Sequence, residues 1–218
     1  MATNTEELVN RILEGVAKVE YIKAEDIPNI DLYMDQVTTF MDKRLRAKTR
    51  NPGEDKVLTK TMINNYAKND LLPPPEKKKY SKEHMLLLIF IYYYKSILSI
   101  NDIQTLLTPI TDEFFQAKDG FGLEDIYNEV FGMEEAQMEI LKKDVLAKYA
   151  YAEETFTEAP EKEREFLRKF SFICLLSFDV YVKKLLIEKM VDDLREQETK
   201  QEDKHKAAET EKDKKKEK

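Results

Sequence analysis

Five polar side chains fall at helical spacing just past the first quarter of the chain: Lys60, Thr61, Asn64, Asn65 and Lys68. At 3.6 residues per turn they share one side of a helix, opposite Met62, Ile63 and Tyr66. Lys and Thr bind phosphate oxygens, and an Asn amide matches the donor–acceptor pair of an adenine edge. Thr59 stands directly before them and suits an N-cap. Further on, Lys77, Lys78 and Lys79 follow Pro73-Pro74-Pro75, a run that leaves in an extended path. A triple positive charge on such a loop suits a phosphate backbone. Tyr80 offers a ring to pack against the base of a wing or against a sugar. A lone lysine run or a lone polar helix face is ordinary solvated surface. Their adjacency makes Thr59, Lys60, Thr61, Asn64, Asn65, Lys68 and Lys77 to Tyr80 the candidate DNA-binding set.

These residues sit in a basic segment of an acidic chain. The 218 residues carry a net charge of −7. From Asp42 to Lys82 there are twelve Lys or Arg against five Asp or Glu, so this stretch is +7 and the rest is −14. A basic module on an acidic body can still bind phosphate. Other chemistry has little to stand on. Only five glycines are present, which argues against phosphate-cradling loops. Cys174 is the single cysteine, so no internal disulfide forms, and His84 and His205 are the only histidines. No Ser-His-Asp, Cys-His or metal-ligand pattern stands out, so neither enzymatic activity nor a metal or cofactor is expected. The longest apolar run, Met85 to Tyr94, is too short to span a bilayer and reads as a buried helix. The N-terminus lacks the order of a signal peptide. A cytoplasmic location without membrane insertion is the expectation.

The elements that must position the site can be read from periodicity and punctuation. Residues 4–18 form an amphipathic helix on Leu8, Ile12, Leu13 and Val16. After Pro28, Asn29 or Asp31 caps a helix carrying Leu32, Val37, Phe40, Met41 and Leu45. Residues 48–55 are a loop broken at Pro52 and Gly53. The short helix behind Thr59 ends at Asn69, a left-handed C-cap, with Leu71 folding back onto it. Residues 76–80 form a small hairpin or a bare loop. Ser81 caps a buried helix over 82–97, in which Phe90, Tyr92, Tyr93 and Tyr94 pack the core and His84 sits in the first turn. Ser99 and Asp102 make a capping-box-like start for a helix over 100–107. Residues 108–133 are irregular or hold short helices. A long helix spans 134–156, and another begins near Glu161 after Pro160. Phe166, Phe170, Ile173, Ser177, Val180 and Lys184 form one stripe of that last helix, and Cys174 is read as a buried filler. The tail beyond Asp192 has no apolar stripe and is a solvated helical extension or disorder.

The segment from Leu58 to Leu107 resembles the MerR family of winged-helix regulators. Their pattern is a helix with an aromatic near its end, a small Gly-Leu-Leu-Pro turn, a basic wing ending in tyrosine, and a helix opened by Ser or Thr with Glu. A short helix with Ile and Leu-Leu follows. Tyr66, Leu71, Leu72, Pro73, Tyr80, Ser81, Glu83, Ser99, Ile103, Leu106 and Leu107 match that order. Over most of residues 20–110 the chain is more specifically similar to an uncharacterised bacterial family described as having a MerR-like helix-turn-helix. Where MerR proteins usually carry arginines, this chain has Thr59, Lys60, Asn64 and lysines, and Lys is the poorer bidentate base reader.

The expected fold is therefore mainly α: a winged helix-turn-helix domain with room for a small β wing, followed by a C-terminal helical bundle. Domains are expected at 1–110, 111–192 and 193–218, the last a charged tail. The expected function is MerR-like regulation of transcription on double-stranded DNA. The helix from Glu161 to Met190 would form a homodimer, since paired half-sites multiply affinity. No small-molecule effector can be named. The competing reading is a protein–protein adaptor that keeps the winged-helix fold without reading DNA.

Overall fold

Eight helices and one two-stranded ladder make up the described part of the computed structural model, which covers residues 5–16, 21–117 and 120–216. The fold is mainly helical. The first helix, α1 (Thr5–Val16), buries Val9 and Leu13, whereas Ile12, read from the sequence as part of its apolar face, is exposed. A two-residue strand, β1 (Leu32–Tyr33), leads straight into α2 (Met34–Leu45). The start of α2 is neither Asn29 nor Asp31. Residues 32 and 33 are spent in a ladder, so the cap falls on Tyr33, two residues past Asp31 and four past Asn29, where the Tyr33 N–H donates to Gln36 Oε1 at 2.8 Å. A 3-10 turn (Arg46–Lys48) and an open loop then reach α3 (Lys60–Lys68).

The second strand, β2 (Lys79–Tyr80), pairs antiparallel with β1, placing Leu32 opposite Tyr80 and Tyr33 opposite Lys79. Helix α4 (Lys82–Tyr94) follows, and every residue from His84 to Ile91 is buried. A helix apolar all round must be enclosed by other elements. Val37, Met41 and Leu45 of α2, Ile63 and Tyr66 of α3, and Leu71 and Leu72 belong to the same core. The core also takes in α5 (Ile100–Phe114) through Ile103 and Leu107, and α6 (Leu123–Gly132) through Leu123 and Tyr127. Ser99 and Asp102 start α5 as a reciprocal capping box. Helix α5 does not stop at Leu107. It runs through Pro109 to Phe114, because Ile110 and Phe114 pack against the core and offset the ~3 kcal/mol that an interior proline costs.

A second, smaller core joins α1 to α7 (Glu134–Glu153) and α8 (Glu161–Lys216), through Val9, Leu13, Ala152 and Phe172. Helix α8 has 56 residues, about 84 Å at the α-helical rise. Its charged end continues the helix rather than leaving it. Arg195 on α8 reaches Asp102 at 3.0 Å, fastening the long helix to the first turn of α5.

The apolar stripe of α8 faces outward. Phe166, Phe170, Ile173 and Val180 are exposed, whereas Phe172 and Val191 are buried. Cys174 lies on the exposed side too, so it is not a core filler. The reason is that α1, α5 and α7 cover only part of α8, and no other described element covers this face.

Candidate nucleic-acid interface

Helix α3 begins where Thr59 Oγ1 accepts the Met62 N–H at 3.2 Å. Ile63 and Tyr66 point into the core, which fixes the rotation of the helix. Lys60, Thr61, Asn64, Asn65 and Lys68 are consequently all exposed, on one side. The helix ends with Asn69 donating from its backbone and its side-chain Nδ2 to the Asn65 carbonyl. The left-handed residue is not Asn69 but Asp70, at φ 55°. Asn69 keeps a negative φ as the C-cap, so the reversal falls one residue on, and Leu71 then returns its N–H to the Tyr66 carbonyl at 2.9 Å.

The three lysines form a tight hairpin turn. The Lys79 N–H donates to the Glu76 carbonyl at 2.8 Å, and Lys77 and Lys78 both have positive φ, 49° and 66°. That is the pattern of a type I′ turn, which favours Asn-Gly because side chains are strained there. Two lysines in those positions cost about 1 kcal/mol each or more. Lys77 lies 3.8 Å from Glu76 in an exposed, weak pair.

Two contacts join the turn to α3. Lys79 Nζ lies 5.3 Å over the Tyr33 ring, and Lys60 is ion-paired with Asp35. Tyr33 and Asp35 are two residues apart at the start of α2, so the polar face of α3 and the lysine turn meet on one surface. Tyr33 is 54% exposed. Neither Tyr33 nor Asp35 is marked by its sequence neighbourhood. Their place depends on a strand pairing between segments 47 residues apart, for which two-residue strands leave no periodic signal.

Tyr80 stands apart from the other candidates. It is 3% exposed, and its ring meets His84 edge-on at 5.4 Å. Of the two roles read for it, packing at the base of the hairpin is the one its burial allows. Burial also raises its phenol pKa. His84 links the hairpin to α4: its Nδ1 accepts the Ser81 N–H at 3.0 Å and lies 2.9 Å from Ser81 Oγ. Phe115 closes on the other edge at 4.9 Å. The His84 Nε2 is buried without a hydrogen bond of ordinary geometry. Burial lowers the pKa of this imidazole, and the nearby carbonyls of Pro74 and Pro73 only partly oppose that. A neutral ring also suits the Ser81 contact, since a protonated Nδ1 could not accept. Among the described residues, no cluster of His, Cys, Asp or Glu is arranged to hold a metal ion. None of the described helices is long and apolar enough to cross a membrane.

The match to known families falls on this part of the molecule. Residues 22–130 match the domain of unknown function DUF1836, and the chain belongs to that family. The matched span contains α2 to α5 with the candidate interface, nearly all of α6, and most of the larger core. No curated protein and no solved structure matches the chain.

Proposed function

We propose that the protein is a MerR-like, DNA-binding regulator in which α2, α3 and the 76–79 turn act as a winged helix-turn-helix. In this reading α2 is the scaffold helix and α3 lies in the major groove. The Lys77–Lys79 turn is the wing on the phosphate backbone. The observation that carries it is the single surface formed by the outer face of α3 and the strained lysine turn, joined through Asp35 and Tyr33. A purely structural turn would be cheaper with Asn and Gly. Two exposed ammonium groups held at that cost are accounted for by a polyanion that they touch. Asn64 and Asn65 supply base contacts, while Thr61, Lys68 and the lysine turn supply phosphate contacts. Lys60 reaches DNA by exchanging its exposed pairing with Asp35 for a phosphate.

The reading includes a homodimer. The α8 stripe Phe166, Phe170, Ile173, Ser177, Val180, Lys184 alternates four- and three-residue steps, the spacing of a coiled-coil seam. A second copy of the same face would cover it, and two copies would present two α3 helices to paired half-sites.

Gel-shift titrations of genomic fragments at two salt concentrations test the proposal. Binding should weaken steeply with salt. Replacing Lys77, Lys78 and Lys79 with Ala should reduce the slope of log K against log salt by about 2–3, near 0.9 per phosphate contact. Asn64→Ala or Asn65→Ala should change preference among sequences instead. An unchanged slope in the triple variant removes the wing assignment. Absence of binding at low salt removes the DNA reading and favours the adaptor, for which the same exposed α8 face would seat a different protein.

A further inference from the structure

A cleft of about 520 Å³ opens where α4, α6 and α7 meet, away from the basic surface. Half of its lining is ring systems, Tyr21, Phe90, Tyr93, Tyr94 and Phe131; the rest is aliphatic and thioether side chains with the Gln137 amide. The rings already pack on one another. Tyr21 and Phe131 have centroids 4.2 Å apart, Tyr21 meets Tyr93 edge-on at 4.7 Å, and Phe90 stacks with Phe131 at 5.2 Å. Three helices and Tyr21 hold this wall in place, so the cleft is formed before any guest arrives. Its mouth carries apolar side chains left in water: Met133 is 55% exposed and Val130 41%.

We infer that this cleft binds an uncharged, ring-bearing small molecule. The volume lies within the ~300–1,000 Å³ of small-molecule sites. A helix, about 10 Å across with its side chains, needs a longer trough than this cleft offers. No charged side chain lines the cleft among the described residues, so an ionic ligand would lose water without gaining a counter-charge. Flat rings fit because aromatic walls favour offset and edge-to-face contacts. The Gln137 amide gives one donor and one acceptor direction to orient a carbonyl or hydroxyl on the guest. The inference is independent of DNA binding.

The probe is N-phenyl-1-naphthylamine, a neutral ring compound whose emission rises in apolar surroundings. Titrated into the full-length protein, it should saturate at one site per chain. Met133→Asp places a carboxylate at the mouth, at an exposed position between α6 and α7. It should weaken binding at least tenfold. Leu141→Asp, further along α7, should do the same and serves if the first variant is poorly folded. Ile12→Asp, on the exposed side of α1 and outside both the cleft and the α8 face, should leave the affinity unchanged. Non-saturable binding overturns the inference. So does loss of binding in Ile12→Asp, or unchanged affinity in both cleft variants.

Discussion

Lys79 Nζ lies 5.3 Å over the ring of Tyr33, across the ladder that pairs β1 with β2. At an exposed site such a contact contributes roughly 0.5–1 kcal/mol. It holds the last lysine of the turn above an aromatic surface beside α3. Tyr33→Ala should therefore change global stability by less than about 1 kcal/mol in urea denaturation. On the DNA-binding proposal, affinity for DNA should nevertheless fall several-fold, and Tyr33→Phe should retain most of it. A Tyr33→Ala protein that binds DNA as well as the parent would detach this ring from the interface.

The strained turn separates stability from binding. Replacing Lys77-Lys78 by Asn-Gly installs residues suited to positive φ at both positions. The midpoint of unfolding should rise, by an amount equivalent to about 1 kcal/mol. If the turn is a DNA wing as proposed, DNA binding and its salt dependence should both fall over the same change. If the Asn-Gly variant is no more stable than the parent, the strain at Lys77 and Lys78 is not real.

His84 makes the fold acid-sensitive. Its pKa in the folded protein is lowered by burial, whereas in the unfolded chain it titrates near the ordinary ~6.5. Between those two values the unfolded chain binds more protons, so stability rises with pH across that window. Read downward, stability is complete above about pH 6.5 and is lost as pH falls toward the lowered value, by at most ~1.4 kcal/mol per pH unit for one such group. Denaturation midpoints measured between pH 7.5 and 5 should show the decline. His84→Gln, which can still accept the Ser81 N–H, should flatten it. An equal decline in the variant would place the sensitivity elsewhere.

The outward stripe of α8 makes a prediction about assembly. Phe170→Asp and Phe178→Asp lie at exposed positions, so each should leave the helical content of a chain unchanged. Sedimentation should show a dimer for the parent and a shift toward monomer for each variant. Cys174, on the same face, gives a second readout: maleimide labelling should be slow in the parent and fast in the variants. A monomeric parent at micromolar concentration would refute the homodimer.

The sequence by itself determined what depends on nearby residues. Thr59, Ser81 and Ser99 are legible as helix starts because a cap acts on N–H groups two or three residues away. The outward set on α3 is legible because Ile63 and Tyr66 fix the rotation of a short helix, and the spacing of the rest follows. The burial of α4 is legible because an apolar run of that length has no polar side to present. Tertiary structure alone decided the rest. It paired residues 32–33 with 79–80, which put Tyr33 beside Lys79, buried Tyr80, and delayed the start of α2. It also left Phe166, Phe170 and Cys174 in water. A period of four and three records that a helix face is apolar, and the same face can meet its own chain or another copy. Which of these happens depends on where α5 and α7 run out of surface to cover α8, and that is a property of the assembled fold.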